Sequence, residues 1–144
     1  MVEASHFVIL CVEDNLGDAE LIRMSLEQAD RAYDLIFATD GEQALDILFK
    51  RNQFVNSPTP GLIFLDLNLP KLEGREVLAK IKSDEVLKTI PIIVLSSSQA
   101  TEDIGEAYAL HANCFVTKPH SAVDFVKTIR ATTDFWINVV QRVA

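Results

Sequence analysis

Apolar residues fall in five short runs along the chain: Phe7–Val12, Leu35–Ala38, Leu62–Leu65, Ile92–Leu95 and Phe115–Val116 with its neighbours. Most are continuous rather than alternating, the pattern of strands covered on both faces. Between them the period becomes helical. Ala19, Ile22, Leu26 and Ala29 form one stripe, Ala44, Leu45 and Leu48 a second, Val77, Leu78 and Ile81 a third, and Ile104, Ala107, Tyr108 and His111 a fourth. Asp40 with Gln43 has the spacing of a capping box at the start of the second helix. Ser121 with Asp124 opens a fifth helix, which carries Val126, Ile129 and Ile137 inward. Strand then helix, five times, predicts a parallel sheet with right-handed crossovers and helices on both faces.

Two stretches depart from this rhythm. Residues 52–60 (NQFVNSPTP) form a polar, proline-containing connection longer than most helix-to-strand loops. The fifth helix is expected to span 121–142, roughly 30 Å at 1.5 Å per residue, more than one sheet face needs. Its end carries Phe135, Trp136, Ile137, Val139, Val140 and Val143 and is apolar nearly all round. A helix end without a polar face is buried against something, its own sheet or another protein.

The 144 residues suffice for one domain with a core. Thirteen basic and twenty-one acidic side chains leave a net charge of −8, which repels nucleic-acid phosphates and argues against direct nucleic-acid binding. Two cysteines, Cys11 and Cys114, make no disulfide framework and are expected to be small buried thiols. The longest apolar run has six residues where a membrane span needs about 20. The expectation is a soluble, cytoplasmic single domain over 1–144, without a membrane segment or an output domain. His6, His111 and His120 show no metal-ligand spacing.

Polar chemistry collects where the strands stop. Glu13, Asp14 and Asn15 follow the first run, Asp66 the third, Ser96, Ser97 and Ser98 the fourth, and Lys118-Pro119 the fifth. In open parallel sheets sites form at the carboxyl ends of strands, where strand order reverses. With the flavodoxin-like order 2-1-3-4-5, Glu13, Asp14 and Asp66 share one pocket flanked by Ser96 and Lys118. Three carboxylates that close repel one another. A divalent cation relieves them, and Mg²⁺, with Mn²⁺ as a second choice, suits one or two carboxylates plus phosphate oxygens. Asp66 is then placed to attack a phosphoryl group, with Lys118 as a compact positive charge beside it.

VEDN at 12–15, LDLNLPKLEG at 65–74, LSSS at 95–98 and VTKP at 116–119 together resemble the receiver domain of bacterial response regulators. The resemblance covers nearly the whole chain. It implies that Asp66 is the phosphoacceptor, Asp14 a direct Mg²⁺ ligand, Glu13 a nearby ligand acting through water, and Asn68 a ligand through its backbone carbonyl. It makes Ser96 the switch hydroxyl, Phe115 the switch aromatic and Lys118 the phosphoryl-binding lysine, and it implies a cis Lys118–Pro119 bond. Glu13, Ser96 and Phe115 stand where Asp, Thr and Tyr are commoner. The implied function is that of a phosphotransfer switch in a two-component relay and not a metabolic enzyme: a sensor histidine kinase supplies the phosphoryl group, Ser96 swings in to bond it, and Phe115 fills the space vacated. The long connection, the single-domain form and the tail further resemble small response regulators paired with cyanobacterial phytochrome kinases. That implies a homodimer, with Phe135, Trp136, Ile137 and Val140 at the interface. The alternative, a phosphatase of the haloacid dehalogenase type with Asp66 as nucleophile, wants a second acid where Asn68 stands and a cap domain for which there is no length. A flavin carrier of the same fold wants a phosphate cradle where Glu13 and Asp14 stand.

Overall fold

The computed structural model describes residues 7–27 and 32–143, so His6 and the helical position expected for Ala29 lie outside the described residues. In chain order they form β1 (Phe7–Val12), α1 (Leu16–Glu27), β2 (Tyr33–Ala38), α2 (Gly41–Leu48), β3 (Leu62–Leu65), α3 (Gly74–Lys82), β4 (Ile92–Ser96), α4 (Thr101–Ala109), β5 (Cys114–Thr117) and α5 (Ala122–Asp134). The five strands make one parallel sheet in the order β2-β1-β3-β4-β5, as expected.

Strand side chains alternate between two cores. Leu10, Val12, Ile63, Leu65, Ile92 and Val94 pack with residues of α2, α3 and α4. Ile9, Cys11, Leu62, Phe64, Ile93 and Leu95 pack with Ile22 and Leu26 of α1 and Phe125 and Ile129 of α5. The continuous apolar runs follow directly, because both faces of the central strands are covered.

The caps come largely as the sequence implies. Asp40 Oδ1 accepts the Gln43 N–H at 2.8 Å, and Gln43 Oε1 reaches back to the Thr39 N–H, one residue earlier than a capping box expects. Ser121 Oγ accepts the Asp124 N–H at 3.1 Å. Residues 52–54 of the long connection form a single 3-10 turn.

Several details differ from expectation. The fourth helix stops at Ala109, and His111 is an exposed residue with φ 73° rather than a helical core position. The Ala112 N–H bonds to Ala107 O and the His111 N–H to Tyr108 O, a Schellman closure that turns the chain toward β5. In α5 the buried aromatic is Phe125, with Val126 only half-buried. That helix is regular to Asp134 and ends in a π turn over Phe135–Val139, closed by Val140 N–H to Phe135 O, so it falls short of Arg142. Phe125, Ile129, Thr133 and Ile137 are all buried. A four-residue spacing drifts by about 40° per step in a regular helix, and the wider final turn takes up that drift. Arg142 folds back, its guanidinium 4.5 Å from the Phe7 ring centre. The Lys118–Pro119 bond is trans, not cis. The two isomers of an X–Pro bond differ by only about 0.5–1 kcal/mol, so the residue pair does not decide between them. Among the described residues no helix is long and apolar enough to cross a membrane.

Candidate functional site

β1 and β3 are neighbours, with Val12 level with Leu65, so the residues that follow them emerge side by side. Glu13 and Asp66 are nearly buried, at 3% and 6% exposure, whereas Asp14 is exposed. Each of the three offers a carboxylate oxygen, and these oxygens lie within 4.8 Å of one another. The loop after Asp66 is pinned against α3: a Cβ at Gly74 would collide with Asp66 O and Leu67 Cα, and the Gly74 N–H bonds to Leu67 O at 3.0 Å. Glycine at 74 is therefore what allows the Asp66 loop to lie on the start of that helix. Asp66 Oδ1 accepts the Asn68 N–H at 3.1 Å, which fixes the carboxylate.

Lys118 reaches this cluster from the end of β5. Its N–H donates to Ser96 O at 2.7 Å, and its side chain is 10% exposed. Nζ lies 2.8 Å from Glu13 Oε1, 2.8 Å from Asp18 Oδ2 and 3.1 Å from Asp66 Oδ2. Burial opposes the charge of Lys118, but the Asp18 and Glu13 carboxylates prevail and hold its pKa above the ordinary lysine value. Burial pushes Glu13 the other way, up to about 7, with the Asp66 carboxylate adding to the rise and Lys118 resisting it. The second Glu13 oxygen accepts the Asn15 N–H at 3.2 Å. The pocket is thus short of positive charge, and its donor set is all carboxylate oxygen. That set fits a hard divalent cation.

Ser96 is fully buried at the end of β4, and its Oγ accepts the Ser98 N–H at 3.2 Å. From Ser98 a polar chain runs outward. Ser98 Oγ donates to Asp103 Oδ2 at 2.5 Å, and Arg75 Nη2 of α3 donates to Asp103 Oδ1 at 2.5 Å. Arg75 Nε lies 3.0 Å from Glu106 Oε2, an ion pair without hydrogen-bond alignment. Phe115 is half-buried on the α2–α3–α4 side of the sheet, and its N–H donates to the Tyr108 hydroxyl at 3.0 Å.

The structure therefore brings Glu13, Asp14, Asp66 and Lys118 together, with Ser96 at the adjoining strand end and Asn68 in the loop. Phe115 belongs to the neighbouring core. The tail lies apart, beside β5: Ile137 is buried and Trp136 and Val140 are half-buried, so part of the expected contact surface folds back on its own sheet. Phe135, Val139 and Val143 stay exposed. Cys11 is buried, but Cys114 is only half-buried. Sequence reasoning missed Asp18, which lies four residues after Asp14 in the first turn of α1 and 100 residues from its lysine. The available signal was its place in the first turn of α1, directly after the acids that end the first strand. The Ser98–Asp103–Arg75 chain and the Tyr108 bond were likewise unforeseen.

The sequence profile of the response regulator receiver domain matches residues 9–130. The chain is 42% identical over 133 residues to the response regulator Rcp1 of Synechocystis sp., covering 92% of this chain and 90% of that protein. The crystal structure of the phosphorylated cyanobacterial phytochrome response regulator RcpA is similar with a TM-score of 0.94 at 38% identity, covering 97% of this chain and all of that one. The Mn²⁺-bound form of Rcp1 gives a TM-score of 0.91 at 41% identity, covering 96% and 99% of the two chains.

Proposed function

Because the chain belongs to the response regulator receiver family, we propose that Asp66 accepts a phosphoryl group from a sensor histidine kinase and that the protein changes its protein contacts in response. The observation that carries this reading is the Lys118 ammonium 3.1 Å from Asp66 Oδ2 inside a pocket of converging carboxylates. In the transfer, an Asp66 oxygen forms a bond to phosphorus while the P–N bond of the phosphohistidine breaks, and the imidazole leaves with the bonding electron pair. Lys118 shifts its charge onto a phosphoryl oxygen as the Asp66 carboxylate loses its own. Glu13, Asp14, Asp66 and the backbone carbonyl of Asn68 would hold Mg²⁺ or Mn²⁺, which supplies neutralisation of charge on the transferring group. The phosphatase alternative has no support from the family, and Asn68 stands where its second acid belongs.

Ser96 then leaves the Ser98 N–H, which it accepts at rest, and donates its hydroxyl to a phosphoryl oxygen, while Phe115 repacks against the core it already borders. A shift from 1:99 to 99:1 needs about 5.5 kcal/mol of differential contact, within reach of a few charge-assisted hydrogen bonds at about 1.5–3 kcal/mol each. RcpA is described as a cyanobacterial phytochrome response regulator, and that likeness supports a phytochrome histidine kinase as the partner. Pairing of two copies in the cytoplasm through the exposed Phe135 and Val139 and the groove beside Cys114 and Trp136 completes the reading. The test is incubation with acetyl phosphate, with and without Mg²⁺, followed by intact mass. Wild type gains one phosphoryl group only with Mg²⁺ and Asp66→Asn gains none. A gain that persists in Asp66→Asn overturns the assignment.

A further inference from the structure

The Lys118 ammonium has three carboxylate partners, as many as it has N–H groups. Two of them, Glu13 and Asp66, belong to the pocket itself. The third, Asp18, comes from α1, and its side chain is 26% exposed against 3% and 8% for the others. Asp18 is placed by its own helix start: Asn15 Oδ1 accepts the Asp18 N–H at 2.9 Å, and a side chain at Gly17 would crowd that same oxygen at 3.2 Å. The result is a carboxylate aimed across the pocket at the end of β5.

Resting on the phosphoacceptor reading above, we propose that Asp18 is a positioning residue that tethers the Lys118 ammonium toward α1 and so restrains phosphorylation of Asp66. A phosphoryl group arriving at Asp66 brings oxygens that need the same N–H groups, and every one already faces a carboxylate. The contact to Asp66 passes naturally to the new oxygens, and Glu13 is wanted by the cation. Asp18 alone keeps its full claim on the lysine and draws it away from the reacting atoms. Loss of the Asp18 charge leaves Lys118 free to follow the phosphoryl group.

Two measurements decide this. In ¹⁵N-lysine-labelled protein, the Lys118 ammonium signal (identified by its loss in Lys118→Met) should exchange with water about two- to fivefold faster in Asp18→Asn, the scale of one partly exposed ion pair. With acetyl phosphate at saturating Mg²⁺, Asp18→Asn should gain its phosphoryl group about two- to fivefold faster than wild type. Glu20→Gln, which removes a charge from the same helix without touching Lys118, should leave both rates unchanged. Asp18→Ala serves as a second variant should Asn at 18 disturb α1, and circular dichroism checks that each variant is folded. Unchanged ammonium exchange overturns the tether, and an unchanged or slower labelling rate overturns the restraint. An equal acceleration in Glu20→Gln assigns the effect to net charge and overturns both. A wild type that takes up no phosphoryl group overturns the reading of Asp66 instead, while the ammonium exchange still decides the tether.

Discussion

β3 and β4 are buried along their whole length, whereas every residue of β5 is half-buried. Their coverings differ in the same sense. α3 buries Gly74, Val77, Leu78 and Ile81, while α4, of equal length, buries only Ala107. Asp66 follows the strand at the packed centre. Ser98, Asp103, Tyr108 and Phe115, which connect the end of β4 to the edge, make their ties mainly through polar contacts in partly exposed surroundings. The phosphoacceptor role proposed for Asp66 needs a fixed geometry, and dense packing supplies it. The rearrangement proposed for the edge needs a small difference between two states, and a few polar ties over a shallow core supply that.

The contrast can be broken most directly by truncation. Phe64→Ala should cost about 3–5 kcal/mol and Phe115→Ala about 1–2 kcal/mol, read from urea unfolding. Equal losses would remove the distinction between centre and edge. A titration sharpens it. Below about 4.5 Glu13 is protonated whether the chain is folded or not. Between 4.5 and 7 the folded chain holds a proton that the unfolded chain has released, so metal-free stability falls as pH rises through that window. Relative to Glu13→Gln, wild type should lose about 1–3 kcal/mol over this range, and Mg²⁺ should restore part of the loss. A slope of opposite sign would show that Lys118 dominates the site. At the edge, Ser98→Ala removes the bond to Asp103 and should cost about 1 kcal/mol, with faster amide exchange confined to the start of α4. The smallest effect concerns Asp103 itself, held below the ordinary aspartate range by the Ser98 hydroxyl first, with burial opposing and Arg75 adding to the fall. Its contribution is present above the usual aspartate pKa and fades as pH falls through the lowered one. Acid should therefore destabilise wild type slightly more than Asp103→Asn, as measured by thermal unfolding.

The centre of the molecule was more legible in the sequence than its edge, for related reasons. Leu62–Leu65 and Ile92–Leu95 read as covered strands because burial on both faces leaves no polar position to confuse the pattern. Glu13, Asp14, Asp66 and Lys118 could be grouped because strand order alone brings strand ends together. At the edge the information is tertiary. Tyr108 sits at helical spacing with Ile104, and nothing local says that its hydroxyl meets a strand rather than a core. His111 continues the helical period, yet the chain has to reverse there. The π turn after Asp134 answers to accumulated drift along α5 and not to any residue type. Asp18 hid in plain charge, one of twenty-one acids along the chain.

The bond from the Phe115 N–H to the Tyr108 hydroxyl has one more consequence. β5 is the last strand of the sheet, and an open margin of that kind invites a sixth ribbon from any passing chain. The phenol stoppers the margin at its middle. A copy of this protein approaching that side finds that amide already taken, which favours recognition by side-chain shape, which can be undone, over the stitching of two sheets into one.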